Sequence, residues 1–364
     1  MKDNGLHPRN VIIFGGGNAL GSYLAGAYEE MVRHDVQADW IIGASIGAVT
    51  GAIIAGNPPE RRLERLREFW AEATTQTTFE PSGNEKLRQY YNGWHAALAA
   101  TFGRPSIFTH RWPGFWGILP GPQNDVALYD HGPLAATLDR LVDFDLLNRS
   151  DIRLTVGCVD IETGDEVVFD TARHRIGPEH ILASTAITPA FPPVLVEGRM
   201  LCDPGYVNNS PVDLAFAEPF AADARIILLE LFSLRSPRPA SLDAILERTQ
   251  DILFASPTRR AIEALKREYA LRLQLTPDGP AVSILHMAYQ AAAHELSLKT
   301  LDFSPSSVAD RWAAGARDLR SGLAALDRSP PVPGLTYLSA NGDPAPSPSL
   351  DQEPASRTEN AVGT

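Results

Sequence analysis

Two glycine-framed turns near the start of this 364-residue chain constrain its fold most strongly. The first, residues 15–21 (GGGNALG), follows the apolar run 11–14, and the second, residues 43–47 (GASIG), follows a similar run. The second turn has the G-x-S-x-G spacing of a nucleophile elbow, where small residues relieve crowding so that a serine hydroxyl stands exposed between a strand and a helix. Backbone N–H groups of the first turn can face a developing oxyanion. The two turns together favour a serine acyl hydrolase.

The order of the predicted elements indicates a parallel sheet with helices packed on its faces. Residues 11–56 alternate strand, glycine loop, helix, strand, elbow and helix, and such alternation is typical of α/β folds. Two further segments, 151–170 and 194–202, have the pattern of β-hairpins. Residues 226–232 have that of a buried strand, and residues 58–72 and 179–186 have that of helices.

The C-terminal third differs in composition from the part before it. Residues 241–327 have a helical pattern with alternating charges, and the tail after residue 341 is rich in Pro, Ser, Asp and Glu, a composition typical of disorder. We therefore expect an acyl hydrolase domain over 10–232, a C-terminal helical extension over 241–327 and a disordered tail over 341–364. The helices of the extension are expected to pack on the core.

Composition narrows the class of partner. The net charge of −12 argues against nucleic acid, because phosphate binding needs clustered Lys and Arg, and against purely electrostatic docking on anionic membranes. A transient apolar contact with a membrane surface stays open. Two cysteines, Cys158 and Cys202, are too few for a disulfide scaffold, and no His/Cys motif suggests a metal. Without an apolar run long enough for a signal or a span, we expect a cytoplasmic protein, at most peripheral at a membrane, with no cofactor.

Residues 90–116 carry eight aromatic side chains interrupted by Gly and Pro. Two interpretations are open. The segment is either an irregular excursion whose aromatics are buried against the core, or a rim over the serine that meets acyl chains or a membrane interface. Trp and Tyr suit such an interface because they pair an apolar body with a polar tip.

A serine hydroxyl becomes a good nucleophile only when a base takes its proton. The chain has nine histidines, but none lies in a motif that ties it to Ser45. A more specific candidate is Asp203, in the turn 203–205 (DPG) after a strand-like run. Its carboxylate can accept the Ser45 proton directly in a Ser-Asp dyad, although the same tripeptide is also an ordinary turn.

The glycine loop, the early elbow and the late Asp203 turn, in this order, resemble the patatin-like phospholipases. Residues 183–193 and 207–211 are similar to the family's segments before and after its aspartate, so the resemblance covers residues 10–230. It implies an α/β fold, a three-layer α/β/α sheet, and hydrolysis of lipid acyl esters without a metal, of the phospholipase A or lysophospholipase type. It also implies that Ser45 is the nucleophile that forms an acyl-enzyme and that Asp203 is the general base.

The resemblance further assigns the oxyanion hole to backbone N–H groups of the glycine loop. An ungapped match gives Gly16 and Gly17, with Asn18 in place of the family's third glycine and Leu20 in place of its arginine. If one residue is inserted instead, the triplet begins at Gly15, so the amides that face the oxyanion stay open. The elbow and turn glycines carried over from the family are Gly43, Gly47 and Gly205.

Two other enzyme classes share parts of the pattern. An ordinary α/β-hydrolase adds a histidine and places its elbow after several strands, whereas only one strand–helix unit precedes Ser45. A dinucleotide-binding enzyme needs an acid at the end of its second strand. Here Asp35 and Asp39 precede the run 40–42, so they are wrongly placed for a ribose.

The alternative within the same fold is a catalytically inactive protein that binds lipid or acts as a scaffold. The departures at Asn18 and Leu20 motivate this alternative, because both lie in the loop expected to bind the oxyanion. The intact Ser45 and Asp203 speak against it. The sequence gives no indication of an oligomeric state.

Overall fold

The computed structural model describes residues 8–75, 84–112 and 127–340. The expected disordered tail over 341–364, and Phe115 and Trp116 of the aromatic segment, lie outside these residues. The strands are β1 Arg9–Phe14, β2 Trp40–Gly43, β3 Gly103–Arg104, β4 Phe108–His110, β5 Tyr129–Asp130, β6 Arg153–Asp160, β7 Glu166–Asp170, β8 Val194–Val196, β9 Arg199–Cys202, β10 Ala224–Glu230, β11 Ala281–Ala288 and β12 Gly334–Ser339. The helices are α1 Ser22–Arg33, α2 Ile46–Ala55, α3 Pro59–Ala73, α4 Glu85–Phe102, α5 Gly132–Leu141, α6 Phe144–Leu147, α7 Pro178–Thr185, α8 Gly205–Asn208, α9 Leu242–Leu275 and α10 Pro305–Asp327.

The central sheet has the order β12-β11-β10-β1-β2-β6-β9-β8, with β7 on the free edge of β6. Neighbours from β12 to β6 are parallel, whereas β7, β8 and β9 form the two predicted hairpin pairings and run antiparallel to their partners. The predicted alternation over 11–56 and both hairpins are therefore confirmed. A separate small sheet contains β3, β4 and β5.

Strand β1 explains why the sheet lies between two helical layers. Its side chains alternate between two cores, with Ile12 and Phe14 in one and Val11 and Ile13 in the other. A strand buried on both faces has a continuous apolar sequence, as in residues 11–14. Helices α1, α2 and α3 contribute to the first core and α9 to the second. The three-layer α/β/α fold is thus confirmed.

The segment predicted to be helical over 241–327 is only partly so. Helices α9 and α10 fit the pattern, but Ala281–Ala288 is strand β11, and the helix expectation is wrong there. This short run is mostly buried and is apolar apart from Ser283 and His286, so periodicity alone does not separate strand from helix. With β12, it extends the same sheet beyond β10. The boundaries of a separate extension stay a prediction.

Helix α10 crosses α1 at very short range. A Cβ placed on Gly315 would lie 2.0 Å from the Tyr23 carbonyl oxygen, and one on Gly26 would lie 1.9 Å from that of Trp312. Glycine at both positions is what allows the backbones to approach so closely. Since α1 starts just after the glycine loop, α10 supports the element that carries this loop.

The aromatic segment forms α4 and two strands of the small sheet. Phe108 is buried, as the core interpretation predicts, but Tyr90, Trp94, Phe102 and Trp112 are exposed, so that interpretation is wrong for these four. Every helix within the described ranges is too short or too polar to cross a bilayer. The exposed aromatic rings thus lie on a surface, and no described helix next to them could cross a membrane.

Candidate active site

Strand β6 brings the two candidate catalytic residues together. The last residues of β2 and β9 pair with Val156 and Val159 of β6, on the edge opposite to β7. Because β2 is parallel and β9 antiparallel to β6, their carboxyl ends point toward each other along that edge. Ser45 follows β2 by two residues and Asp203 follows β9 directly. The sheet register thus brings Ser45 and Asp203 to the same edge of β6, although they are far apart in sequence.

The turn at Ser45 has the strained geometry of an elbow. Ser45 has φ +54° and ψ −125°, a left-handed conformation that is uncommon for a residue with a side chain, and α2 begins immediately after it. Close packing explains its glycines, since a Cβ on Gly47 would lie 2.0 Å from the Phe14 carbonyl oxygen and one on Gly43 2.6 Å from a backbone nitrogen of α2. The Ser45 amide donates a hydrogen bond to Ser184 Oγ at 3.0 Å.

Asp203 is a buried carboxyl group with one oxygen unpaired. Burial raises its pKa from 3.8 to about 7, while the Ser45 hydroxyl and the Gly205 amide oppose that rise. Oδ1 accepts a hydrogen bond from the Gly205 amide at 2.7 Å. Oδ2 forms no complete hydrogen bond with any described residue, although Ser45 lies close enough to affect the pKa. This oxygen is therefore free to receive a proton near neutral pH.

The glycine loop offers a different set of amides from the one expected. The Gly15 amide donates to the Leu229 carbonyl and the Gly16 amide to the Asn209 carbonyl, both at 3.0 Å. Gly16 lies against Ser45, but its N–H is already engaged, so the expectation that it serves the oxyanion hole is corrected. The amides of Gly17 and Asn18 make no hydrogen bond among the described residues.

Asn18 has a backbone conformation that few residues other than glycine adopt. Its φ is +50°, in the left-handed region that glycine tolerates best and asparagine tolerates better than most other residues. The short helical turn that starts at Asn18 leaves its first amides without intrahelical partners. An asparagine at position 18 is therefore compatible with the conformation of this loop.

Asn209 is a site residue that motif reasoning did not single out. Its Nδ2 donates to the Gly16 carbonyl at 3.1 Å, and its own carbonyl accepts from the Gly16 amide. Its Oδ1 also lies near Gly205, 3.3 Å from where a Cβ on that glycine would be. Asn209 thus ties the glycine loop to the turn that holds Asp203. The only sequence signal was its membership of the family-like run 207–211.

Replacing Asn209 by alanine should loosen the glycine loop. The Gly16 carbonyl would lose its partner inside the protein, which costs about 1–3 kcal/mol of unfolding free energy, and ester turnover should fall about tenfold as the amides lose their alignment. Both are measured by urea unfolding and initial rates. Asn208→Ala is the matched control, because Asn208 is also buried but its Nδ2 donates to Asp213, away from the loop. Equal rate losses in the two variants would contradict this role.

A second support for the glycine loop comes from the C-terminal third. Arg311 of α10 is fully buried and pairs with Glu295 at 2.8 Å. Its Nη1 donates to the Ala19 carbonyl at 3.3 Å and to the Asp302 carbonyl at 2.8 Å. Since Ala19 follows the unpaired Asn18 amide, the loop is held from both sides, by Asn209 and by Arg311.

Among the described residues, the site contains neither a histidine base nor a cluster of metal ligands. None of the described histidines makes a hydrogen bond or ion pair with Ser45 or Asp203. Across the described ranges, no group of three His, Cys, Asp or Glu side chains is placed to hold a metal ion. A carboxylate is the base that the described geometry offers.

Several known proteins are similar to this chain. The patatin-like phospholipase domain-containing protein M110.7 of Caenorhabditis elegans is 27% identical over 207 residues, covering 56% of this chain and 15% of that protein. ZK370.4 of the same organism is 25% identical over 209 residues, covering 56% and 12%. The chain thus spans less than a sixth of the length of these relatives.

Among solved structures, VipD from Legionella pneumophila has a TM-score of 0.40 at 12% identity, covering 87% of this chain and 67% of that one. The type III effector ExoU of Pseudomonas aeruginosa has a TM-score of 0.36 at 11% identity, covering 88% and 54%. A family model described as patatin-like phospholipase matches residues 12–216, more than half of the chain. A second, described as patatin phospholipase, matches residues 258–333. The chain therefore belongs to the patatin-like phospholipase family.

Proposed function

We propose that this protein is a serine acyl hydrolase that cleaves acyl esters of lipids through a Ser45–Asp203 dyad. One observation supports this most strongly: a strained elbow holds Ser45 close enough to the buried Asp203 carboxyl group to affect its pKa, and Oδ2 of that group has no hydrogen-bond partner among the described residues. Membership of the patatin-like phospholipases supports a lipid ester as the substrate class. The finer assignment, to the phospholipase A or lysophospholipase type, follows from the family resemblance.

In the acylation half, Asp203 Oδ2 takes the hydroxyl proton as Ser45 Oγ attacks the ester carbonyl carbon. The negative charge that develops on the carbonyl oxygen is met by the Gly17 and Asn18 amides, which have no other described partner. Each such donor typically lowers the barrier by about 3 kcal/mol. Collapse of the intermediate passes the proton from Asp203 to the departing alkoxide and leaves Ser45 acylated.

In the deacylation half, a water takes the place of the leaving group. Asp203 accepts a proton from this water as it attacks the acyl-enzyme, and the same two amides stabilise the second oxyanion. The breakdown of that intermediate returns the proton to Ser45 Oγ and releases the fatty acid. The N-terminus of α2, which starts at Ile46, adds a favourable dipole at the reacting oxygen.

We further propose that the enzyme meets its substrate at a membrane surface, from the cytoplasmic side. With a net charge of −12, electrostatic attraction to anionic lipid is weak. Contact then has to come from apolar side chains. Exposed aromatic and aliphatic residues on the described surface, Tyr90 and Trp94 among them, supply such groups.

Hydrolysis of p-nitrophenyl butyrate across pH tests this function. The base works only when ionised, and its pKa is raised to about 7. Turnover should therefore fall about tenfold for each pH unit below 7 and level off above it. Initial rates between pH 5 and 9, with folding checked by circular dichroism, give the profile. Folded protein without turnover at any pH would favour the inactive lipid-binding alternative, and a profile flat from pH 5 would contradict Asp203 as the base.

A further inference from the structure

The three acidic side chains in the first three turns of α9 face inward. Asp243 accepts hydrogen bonds from the Ser297 amide and hydroxyl. Glu247 and Asp251 both accept from Lys299 Nζ, at 2.9 and 2.8 Å. Lys299 and Asp251 are buried. The inner face of this helical segment is therefore an ion-paired seam with the loop before α10.

Apart from Thr249, the outer face of the same turns is apolar. We call it the α9 stripe, and its exposed members are Leu242, Ile245, Leu246, Ile252 and Leu253. A helix on the surface of a globular protein ordinarily has the opposite arrangement, with apolar residues toward the core. Contiguous exposed apolar groups of this kind mark a surface that another phase or molecule covers.

The α9 stripe lies next to the turn that carries Asp203. Phe254, which follows the stripe on the same helix, stacks on Tyr206 with ring centroids 5.6 Å apart. A Cβ on Gly205 would lie 3.3 Å from the Phe254 ring. Tyr206 is itself partly exposed. An object covering the stripe would therefore lie close to the proposed catalytic base.

A second apolar surface adjoins the seam on its other side. Leu296 lines a groove on α4 together with the exposed Tyr90 and Trp94, and a Cβ on Gly93 would lie 3.1 Å from Leu296. Leu298, two residues on, is exposed. The loop that binds the inner face of α9 therefore also contacts α4 through Leu296. Exposed apolar side chains lie on both sides of this loop, on α4 and in the α9 stripe.

We propose that the α9 stripe docks the protein on the surface of a phospholipid bilayer; this rests on the proposed function, because a lipid ester is presented at such a surface. The stripe is aliphatic and adjoins the proposed site, as interfacial insertion requires. Arg259 and Arg260, exposed about two turns beyond Ile252 and Leu253 on the same face, complement anionic headgroups. Docking here presents lipid beside Asp203.

Vesicle binding tests this docking surface. The stripe variant carries Leu242→Gln and Leu246→Gln, at positions 77% and 51% exposed. The matched control carries Leu271→Gln and Leu275→Gln, 62% and 83% exposed at the other end of the same helix. Both are made in a Ser45→Ala background so that lipid is not consumed. In co-sedimentation with phosphatidylcholine–phosphatidylglycerol vesicles, the stripe variant should bind at least about tenfold more weakly, and the control within about twofold of the parent.

Equal binding by the two variants would overturn the docking role. So would loss of a dimer in sedimentation velocity with vesicle binding unchanged, because that would assign the stripe to a second copy of the chain. Turnover of water-soluble p-nitrophenyl butyrate, measured with Ser45 intact, separates this inference from the proposed function. Stripe-dependent vesicle binding without turnover would refute the hydrolase and keep the docking surface. Turnover together with vesicle binding that does not depend on the stripe would keep the hydrolase and refute the docking surface.

Discussion

Ser45→Ala should reduce ester turnover by a factor on the order of 10⁴ or more, because removal of a nucleophile leaves only the binding and oxyanion contributions of a site. The fold should survive, since alanine tolerates the φ of +54° no worse than serine does. Turnover of p-nitrophenyl esters measures the loss. Mass spectrometry after fluorophosphonate treatment should find one adduct on Ser45 in the parent and none in the variant.

Ser184→Ala is the control for this result. Ser184 Oγ accepts a hydrogen bond from the Ser45 amide, but its side chain is buried and cannot meet the reagent. The Ser184→Ala variant should therefore keep the fluorophosphonate adduct and lose only a modest part of the turnover. A Ser45→Ala protein that keeps more than a few per cent of parental activity would show that another residue is the nucleophile.

Asp203→Asn should lower turnover by roughly 10² to 10⁴-fold, the usual contribution of a general base. It should also stabilise the protein at alkaline pH. The folded-state pKa is about 7 against an ordinary 3.8, so the ionised carboxyl destabilises the fold increasingly as pH rises between these values. The full cost, on the order of 4 kcal/mol, is present above pH 7.

Urea unfolding at pH 4.5 and pH 8 measures this second effect, and the difference between Asp203→Asn and the parent should grow with pH. Asp170→Asn is the matched control of opposite sign. Asp170 is also buried, but hydrogen bonds from Arg153 and Thr155 outweigh burial and lower its pKa, so its loss should destabilise the protein at pH 8. Near-normal turnover by Asp203→Asn would remove Asp203 from the mechanism.

Local chemistry explains which parts of the fold could be predicted from the sequence. The elbow and the hairpins are specified by glycines and alternating residues close together in the chain, and all are present. Strand β11 was missed because a short run of mostly apolar residues gives no clear period. The residues alone made Asp203 a candidate base for Ser45, and the family resemblance made the pairing specific. Their meeting depends on the register of two strands on β6, which local sequence does not encode.

Hydrogen-bond partners and exposure could not be predicted from the sequence, because both depend on residues that are far apart in the chain. Nothing in residues 15–18 reveals that the Gly16 amide bonds to Asn209, because a backbone partner leaves no trace in composition. The α9 stripe has the spacing of a core-facing helix, and the sequence does not say which face is turned outward. That depends on Lys299, which binds Glu247 and Asp251 from another part of the chain.

The extension of the sheet by β11 and β12 has a consequence for how the chain can be divided. Ending the chain after residue 232 would turn β10 from an interior strand into an open edge, with unpaired N–H and C=O groups along an apolar run. Such edges recruit other chains and promote aggregation. The same cut would remove Arg311 from Ala19 and uncover the face of α1. We therefore expect the part matched by the first family model to depend for its stability on β11, β12 and α10, which lie in the C-terminal third.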